Sequence, residues 1–281
     1  MKKIAVTAET TIDLPKELLE KYDIKIVPFT FVIKDEIYTD GTFPNEELFK
    51  KVEESGELPR TQAVNEYQYD EFFKEILKEY DAIIHFSLSS GISSSCEHAI
   101  LTAKKYKNVF VVDTLSLSTG IALLALQACE LRDKGIEAKE IYETTLKTIP
   151  NIVTSFMIDK VDYLYKGGRC SLLAFIGASV LGLKPQIIMK AGKLFPGKKY
   201  RGKFEKAILN YVDDVLTEHN DLVLDTAFVT YTTAPDETIQ RIIQILKNRG
   251  FKNVLTSRAG CTIASHCGPN TLGILYIEKG K

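Results

Sequence analysis

One stretch of the chain, residues 83–99 (IIHFSLSSGISSSCEHA), joins a buried strand to a helix through a turn rich in serine and glycine. The segment Ile83–Phe86 is typical of the apolar end of a strand. Apolar residues recur at helical spacing from Cys96 onward, which predicts a helix that begins at Ser94 or Ser95. A strand that continues into a helix through such a turn places free backbone N–H groups around one point, and anions bind at such points.

The serine turn has two interpretations. In the first, Ser93 or a neighbouring hydroxyl donates to the negative group of a ligand, and Gly91 is part of the same binding site; in the second, the serines only cap the helix, which is their commoner use. Two other turns rich in Thr or Ser, Ala8–Asp13 and Asp113–Ser118, also follow predicted strands. Because ligands of doubly wound sheets lie beyond the carboxyl ends of the strands, the three turns together favour a site at that edge.

The two halves of the chain differ in pattern. Short hydrophobic strands alternate with helices in the first half, whereas hairpin-paired strands and longer helices fill the second. This predicts an α/β protein with an N-terminal, doubly wound, mainly parallel sheet domain over residues 1–150 and a C-terminal α+β domain over residues 151–281. Residues 58–62 are predicted to form a loop. Residues 259–273 contain three glycines and a proline around His266, and are interpreted either as Gly-rich backbone that approaches a ligand closely or as a turn-rich hairpin.

Composition limits the function classes. A formal net charge of -1 argues against a nucleic-acid or membrane-surface role based on bulk charge. The longest apolar run, Leu172–Leu183, is shorter than the roughly 20 residues of a membrane span, so it is predicted to be a buried helix or a pocket lining. The five cysteines are odd in number, scattered and without a C-x-x-C pair, which indicates reduced thiols in a cytoplasmic protein.

Besides the serine turn, two side chains are candidates for chemistry. Thr61 could donate to a ligand or cap a helix, and His266 could donate to a ligand or be an ordinary histidine of the core or surface. A metal site at Cys261, His266 and Cys267 is disfavoured because it offers only three ligands without zinc spacing, so neither a metal nor a cofactor is expected. Motifs for nucleotide binding are absent from the sequence.

A serine hydrolase that uses Ser93 and His266 is the rival hypothesis from the enzyme class. The segment around Ser93 lacks the second glycine of the G-x-S-x-G turn, and no third member of a triad can be placed from the sequence. A ligand-sensing regulator is a weaker possibility. Eight basic residues and one acidic residue lie between Lys184 and Lys206, which indicates either a solvated face or a docking patch for a phosphate-bearing ligand or an acidic partner.

An ordered series of short motifs resembles the DegV family of bacterial fatty-acid-binding proteins. The motifs run from the first half of the chain to the last strand and are Pro59-Arg60-Thr61-Gln62, Ser89-Ser90-Gly91-Ile92-Ser93, Tyr163-Leu164-Tyr165-Lys166-Gly167-Gly168-Arg169, Leu183-Lys184-Pro185 and His266-Cys267-Gly268-Pro269. The resemblance implies a protein that holds one long-chain fatty acid between its two domains, without stable insertion into a membrane. It also implies a fatty-acid kinase as partner, which converts the presented carboxylate into an acyl phosphate for phospholipid synthesis.

The resemblance also implies roles for individual residues. Thr61 and Ser93 look like the hydroxyl donors to the carboxylate, with His266 beside them. Arg169 and Arg201 look like basic residues at the opening of the fatty-acid site, where they face the kinase or the phosphate. Ser94-Ser95-Cys96 stand where the family usually has Gly-Thr-Tyr, so the choice among Ser93, Ser94 and Ser95 as the contact stays open. Leu172–Leu183, Phe29, Phe31 and the apolar helix after Ser118 are candidates for the tunnel that takes the tail, or for plain core.

Overall fold

The computed structural model describes residues 3–170, 182–219 and 221–280. The strands are β1 (Ile4–Glu9), β2 (Ile24–Val27), β3 (Thr30–Ile33), β4 (Glu36–Thr39), β5 (Arg60–Gln62), β6 (Ala82–Ser87), β7 (Val109–Asp113), β8 (Ile152–Met157), β9 (Leu183–Lys190), β10 (Lys193–Arg201), β11 (Leu222–Tyr231), β12 (Asn253–Arg258) and β13 (Leu272–Glu278). The helices are α1 (Lys16–Lys21), α2 (Asn45–Ser55), α3 (Glu66–Ile76), α4 (Ser95–Ala103), α5 (Thr119–Asp133), α6 (Ala138–Thr148), α7 (Val161–Lys166), α8 (Phe204–Glu218), α9 (Asp236–Arg249) and α10 (Cys261–Cys267).

The N-terminal half is built on a parallel sheet in the order β2-β1-β6-β7. Every residue of β1 and β6 is buried, as expected for parallel strands that are covered on both faces, and neither strand shows an alternation of buried and exposed residues. Helix α3 packs on α4, α5 packs on α6, and all four helices contact the sheet. The predicted doubly wound domain is therefore confirmed.

The first half of the chain also contains a small antiparallel sheet in the order β4-β3-β5. The prediction of a loop at residues 58–62 is wrong, because Arg60–Gln62 forms β5 and places Thr61 opposite Phe31 of β3. The three residues of β5 are all polar and carry no hydrophobic alternation, so the pattern that identifies longer strands is missing there.

The second half contains a six-stranded mixed sheet in the order β10-β9-β8-β13-β11-β12. All neighbours in it are antiparallel except β11 and β12, and α8 and α9 pack against it, as predicted for an α+β domain. A short 3-10 turn at Ile149–Asn151 separates α6 from β8, close to the predicted boundary near residue 150. The limits 1–150 and 151–281 themselves stay a prediction.

The turn-rich prediction for residues 259–273 is wrong at its centre. Residues 261–267 form the helix α10, with Gly260 at its N-cap and Gly268 at its C-cap. All of its residues except His266 are buried, so it has no polar face that would reveal a helical period. Within the ranges that the structure describes, no helix is both long and apolar enough to cross a membrane.

Candidate ligand-binding site

The three hydroxyl-rich turns meet at the carboxyl edge of the parallel sheet, as predicted. Ser87 Oγ donates to Glu9 Oε1 over 2.6 Å, the backbone N–H of Ser90 donates to Asp113 Oδ1 over 3.1 Å, and Ser118 Oγ donates to Asp13. These hydrogen bonds connect the turns that follow β1, β6 and β7. The edge is therefore one hydrogen-bonded platform.

A cavity of about 180 Å³ lies against this platform and is lined from both halves of the chain. Its polar lining residues are Thr61, Ser93, Ser94, Arg169, Thr262 and His266. Its remaining lining residues are Phe29, Ala63, Leu88, Ile92, Leu117, Leu164, Leu194, Ile263 and Cys267. A cavity with a few polar groups in an apolar wall is typical of small-molecule sites.

Thr61 and His266 are in direct contact in this cavity. Thr61 Oγ1 is 2.9 Å from His266 Nε2, and the other ring nitrogen, Nδ1, is buried without a partner among the described residues. Burial and the nearby charge of Arg169 lower the pKa of His266 to about 4. The imidazole is therefore neutral at neutral pH and offers one N–H and one lone pair.

Of the three candidate serines, Ser93, Ser94 and Ser95, two line the cavity. Ser93 and Ser94 line it, and Ser93 Oγ accepts a hydrogen bond of 3.2 Å from the backbone N–H of Ser95. The Ser93 hydroxyl proton is not used in that bond and is available to a ligand. Ser95 is fully buried and bonds Tyr69 and Glu9 instead, so it belongs to the platform below.

Gly91 is not among the described residues that line the cavity. It packs against the tip of the β9–β10 hairpin, where a Cβ on Gly91 would lie 2.2 Å from Gly192 O. The neighbouring Ser89 Oγ donates to the same carbonyl over 2.7 Å. Only glycine permits this approach, so Gly91 holds the serine turn against the second half of the chain.

Of the two predicted basic residues, only Arg169 lines the cavity. Its guanidinium donates to Gly167 O over 2.6 Å and to Ile92 O over 3.4 Å, which connects α7 to the serine turn. Partial burial lowers the pKa of Arg169. Arg201 is exposed at the end of β10 and is not part of the described lining, so its role at the opening of the fatty-acid site stays a prediction.

The tunnel candidates are brought together only in part. Phe29 lines the cavity, whereas Phe31 is buried in a separate cluster with Ile33 and Leu48. The described lining contains Leu117, just before α5, but no residue of α5 itself. Of the apolar run Leu172–Leu183, residues 172–181 lie outside the described residues. A second, narrow cavity of about 20 Å³ shares Leu117, Ile263 and Cys267 with the first.

Sequence reasoning missed Thr262, a buried hydroxyl residue in the cavity wall. It lies four residues before His266, a spacing that places both on one face of a helix. That signal becomes visible only once residues 261–267 are recognised as helical. Of the grouping Cys261, His266 and Cys267, Cys261 Sγ donates to Phe43 O over 3.1 Å, and the described residues contain no cluster of three or more possible metal ligands.

Comparisons with known proteins agree with this architecture. A DegV domain-containing protein of Caldanaerobacter subterraneus is 30% identical over 99% of this chain and 100% of its own. Solved structures of a DegV family protein from Thermus thermophilus, described by its fatty-acid binding, and of the fatty-acid-binding protein DegV from Bacillus subtilis have TM-scores of 0.87 and 0.83. They are 25% and 27% identical, and each comparison covers 99% of this chain and 100% of the other. The family model described as an uncharacterised protein of the DegV family matches residues 3–279, and the chain therefore belongs to the DegV family.

Proposed function

We propose that this protein is a cytoplasmic carrier that binds a long-chain fatty acid, with the carboxylate held by Thr61, Ser93 or Ser94, and His266. The observation that carries the proposal is the shared cavity, whose wall is apolar apart from these side chains, Arg169 and Thr262. The fatty-acid binding described for the Thermus and Bacillus proteins supports the same conclusion.

The polar end of the cavity suits a carboxylate. A buried carboxylate without partners is costly, whereas each hydrogen bond to a charged group contributes about 1.5–3 kcal/mol. Because His266 Nδ1 has no described partner, the tautomer with its proton on Nε2 avoids a buried, unpaired N–H group. In that tautomer Nε2 donates to Thr61 Oγ1, and the Thr61 hydroxyl is left to donate to the ligand.

The apolar wall supplies the affinity. A tail of about 14 methylenes at ~0.8 kcal/mol each contributes on the order of 10 kcal/mol before ordering costs. The main cavity of about 180 Å³ is smaller than the roughly 300–1,000 Å³ usual for ligand sites. It therefore suits the head group and the first part of the chain, and the narrow cavity behind Leu117 and Ile263 must widen to take the rest.

The chemical step belongs to a partner in this proposal. The carrier presents the carboxylate to a fatty-acid kinase, which forms an acyl phosphate for phospholipid synthesis, while Arg169 and Arg201 face the kinase or the phosphate. This part rests on the family resemblance and on the position of Arg169 beside the polar end of the cavity. The protein itself is a binding protein and not a catalyst.

The geometry does not favour the alternative of a serine hydrolase. Within the described chain, His266 Nε2 bonds Thr61 rather than Ser93, and Nδ1 has no carboxylate that would orient the ring. A working triad needs both of those contacts. Covalent labelling by a fluorophosphonate that is abolished by Ser93→Ala would favour the hydrolase and contradict the carrier.

Extraction of the ligand tests the proposal directly. Organic extraction of the purified protein followed by mass spectrometry is expected to release a fatty acid, and delipidated protein is expected to take up added hexadecanoic acid. An empty extract together with no uptake would overturn fatty-acid binding. If binding holds, Ser93→Ala is expected to reduce phosphorylation by the kinase more than tail binding; equal loss of both would overturn the head-group assignment.

A further inference from the structure

Helix α10 contributes two polar side chains to the cavity wall. Thr262 and His266 are four residues apart, so they lie on one face of the helix with Cβ atoms about 5–6 Å apart. Both line the cavity. Ile263, which follows Thr262 in the sequence and also lines the cavity, is apolar. The helix therefore places a second polar side chain in the cavity wall, one turn away from His266.

The hydroxyl of Thr262 has no hydrogen-bond partner in the part of the chain that the structure describes. Thr262 is only 3% exposed, and its Oγ1 is buried without a hydrogen bond to any residue that the structure describes. Buried hydroxyls of this region normally donate to the carbonyl four residues back, as Ser265 does to Cys261 and Thr271 does to Cys267. A buried polar atom left unpaired destabilises a protein, so this one requires an explanation.

A plain hydrocarbon tail does not provide that explanation. Its methylenes cannot bond the Thr262 hydroxyl, and valine would fill nearly the same space without leaving a polar atom in the wall. A ligand that carries an oxygen within the first few carbons after the carboxylate would reach from Thr61 and His266 to the level of Thr262. The hydroxyl of Thr262 can both donate to and accept from such a group.

We propose that Thr262 is a specificity-determining residue, and that the site prefers fatty acids with a hydroxyl group near the carboxylate over unsubstituted chains. The inference rests on the proposed fatty-acid binding and adds the substrate class to it. We assign recognition of the substituent to Thr262 rather than to His266, because His266 Nε2 is engaged by Thr61 and Nδ1 lies against Gly167, where a Cβ would be only 2.4 Å away.

The test compares hexadecanoic acid with derivatives whose hydroxyl is moved along the first few carbons. For each derivative, the ratio of its affinity to that of hexadecanoic acid is measured. For at least one derivative, this ratio is expected to be about three- to tenfold higher in the wild-type protein than in Thr262→Val. The variant is also expected to bind hexadecanoic acid itself more tightly, because the unpaired hydroxyl is gone. Ser265→Ala is the matched control: it removes a hydroxyl from the same helix, outside the cavity lining, and should leave the ratio unchanged.

An identical ratio of affinities in wild type and Thr262→Val for every derivative would overturn the inference. If both classes of acid also lose affinity by the same factor, the hydroxyl of Thr262 is assigned to the carboxylate itself; if neither loses affinity, Thr262 has no role in binding. Failure of the proposed function is distinguishable, since in that case the wild-type protein binds none of the acids, including hexadecanoic acid.

Discussion

Thr61 and His266 are separated by 205 residues, yet Thr61 Oγ1 lies 2.9 Å from His266 Nε2. The contact joins β5 to α10, the two elements that the sequence predicted to be irregular. Regular structure fixes both backbones, so the two side chains are held at defined positions in the cavity wall. The hydrogen bond also fixes the direction of the Thr61 hydroxyl, which matters for a ligand that is held by its carboxylate.

Replacing Thr61 tests the assignment of the head group. Thr61→Val keeps the shape of the side chain but removes the hydroxyl that donates to the carboxylate. We expect the preference for hexadecanoic acid over its methyl ester to fall by about ten- to hundredfold, with affinity for the ester nearly unchanged. Calorimetric titration of both ligands measures this ratio.

A neighbouring threonine provides the control for that variant. Thr30 lies in β3 of the same small sheet, bonds Gln62 and does not line the described cavity. Thr30→Val should therefore leave the acid-to-ester ratio as in the wild type. Equal weakening of acid and ester by Thr61→Val would show that the carboxylate is bound elsewhere.

The partly buried His266, whose ring nitrogen Nδ1 is inaccessible to water, predicts a dependence of stability on pH. The pKa of His266 is about 4 in the folded protein, lowered first by burial and then by Arg169, against an ordinary value of 6.5. Between these values the unfolded chain binds more protons, so the free energy of unfolding decreases as the pH falls from 6.5 towards 4. The loss from this residue is about 3 kcal/mol, and the contribution is fully present above pH 6.5.

Denaturant unfolding of the wild type and His266→Asn measures this effect. The difference in free energy of unfolding between the two proteins should change by about 3 kcal/mol across the window, because the variant lacks the titrating group. His98→Asn is a suitable comparison, since His98 is a histidine of α4 outside the cavity lining. Parallel curves for wild type and His266→Asn would contradict the buried, neutral state of His266.

The carboxyl edge of the sheet was predictable because its signals are local. Continuous hydrophobic runs identify β6 and β7, and hydroxyl-rich turns follow them directly in the sequence. Parallel pairing then requires those turns to share one edge, which is how Ser93 could be placed there. The start of α4 at Ser95 was likewise visible in the spacing of its apolar residues.

The elements that the sequence did not reveal depend on distant contacts. The polar strand β5 exists only through its pairing with β3, and α10 is buried on nearly all sides. Thr262 therefore had no pattern that would connect it to His266. The packing of Gly91 on Gly192 joins two turns from different halves, and no local signal reports such a contact.

The contact between Gly91 and Gly192 predicts a steric defect. In Gly91→Ala the new Cβ would lie 2.2 Å from Gly192 O and 2.8 Å from its carbonyl carbon, so the hairpin must move away. We expect a loss of about 1–3 kcal/mol in unfolding free energy, as for overpacked cores, and weaker fatty-acid binding. Gly280→Ala is the control, because its Cβ would meet only the side chain of Asn151 at 3.2 Å. Unchanged stability and binding in Gly91→Ala would contradict the role given to this contact.

A fully buried carboxylate lies beneath the serine turn. Glu9 Oε1 accepts hydrogen bonds of 2.6 Å from Tyr69 and Ser87, and Oε2 accepts one of 2.9 Å from the backbone N–H of Leu88. Burial alone would raise the pKa of Glu9, but hydrogen bonds from His85, Ser87 and Tyr69 outweigh it and lower the pKa. The charge therefore fixes the end of β6 from which the serine turn departs.

Glu9→Gln tests whether that charge positions the turn. The amide keeps the size of the side chain but replaces one acceptor oxygen by a donor NH₂, which faces either the hydroxyls of Tyr69 and Ser87 or the backbone N–H of Leu88. We expect a loss of about 3 kcal/mol in unfolding free energy at neutral pH and a lower acid-to-ester preference in ligand binding. The difference should shrink as the pH falls through the lowered pKa of Glu9, because protonation removes the same charge from the wild type. Glu17→Gln, an exposed position on α1, should change neither quantity, and wild-type stability in Glu9→Gln would show that the turn is held without this carboxylate.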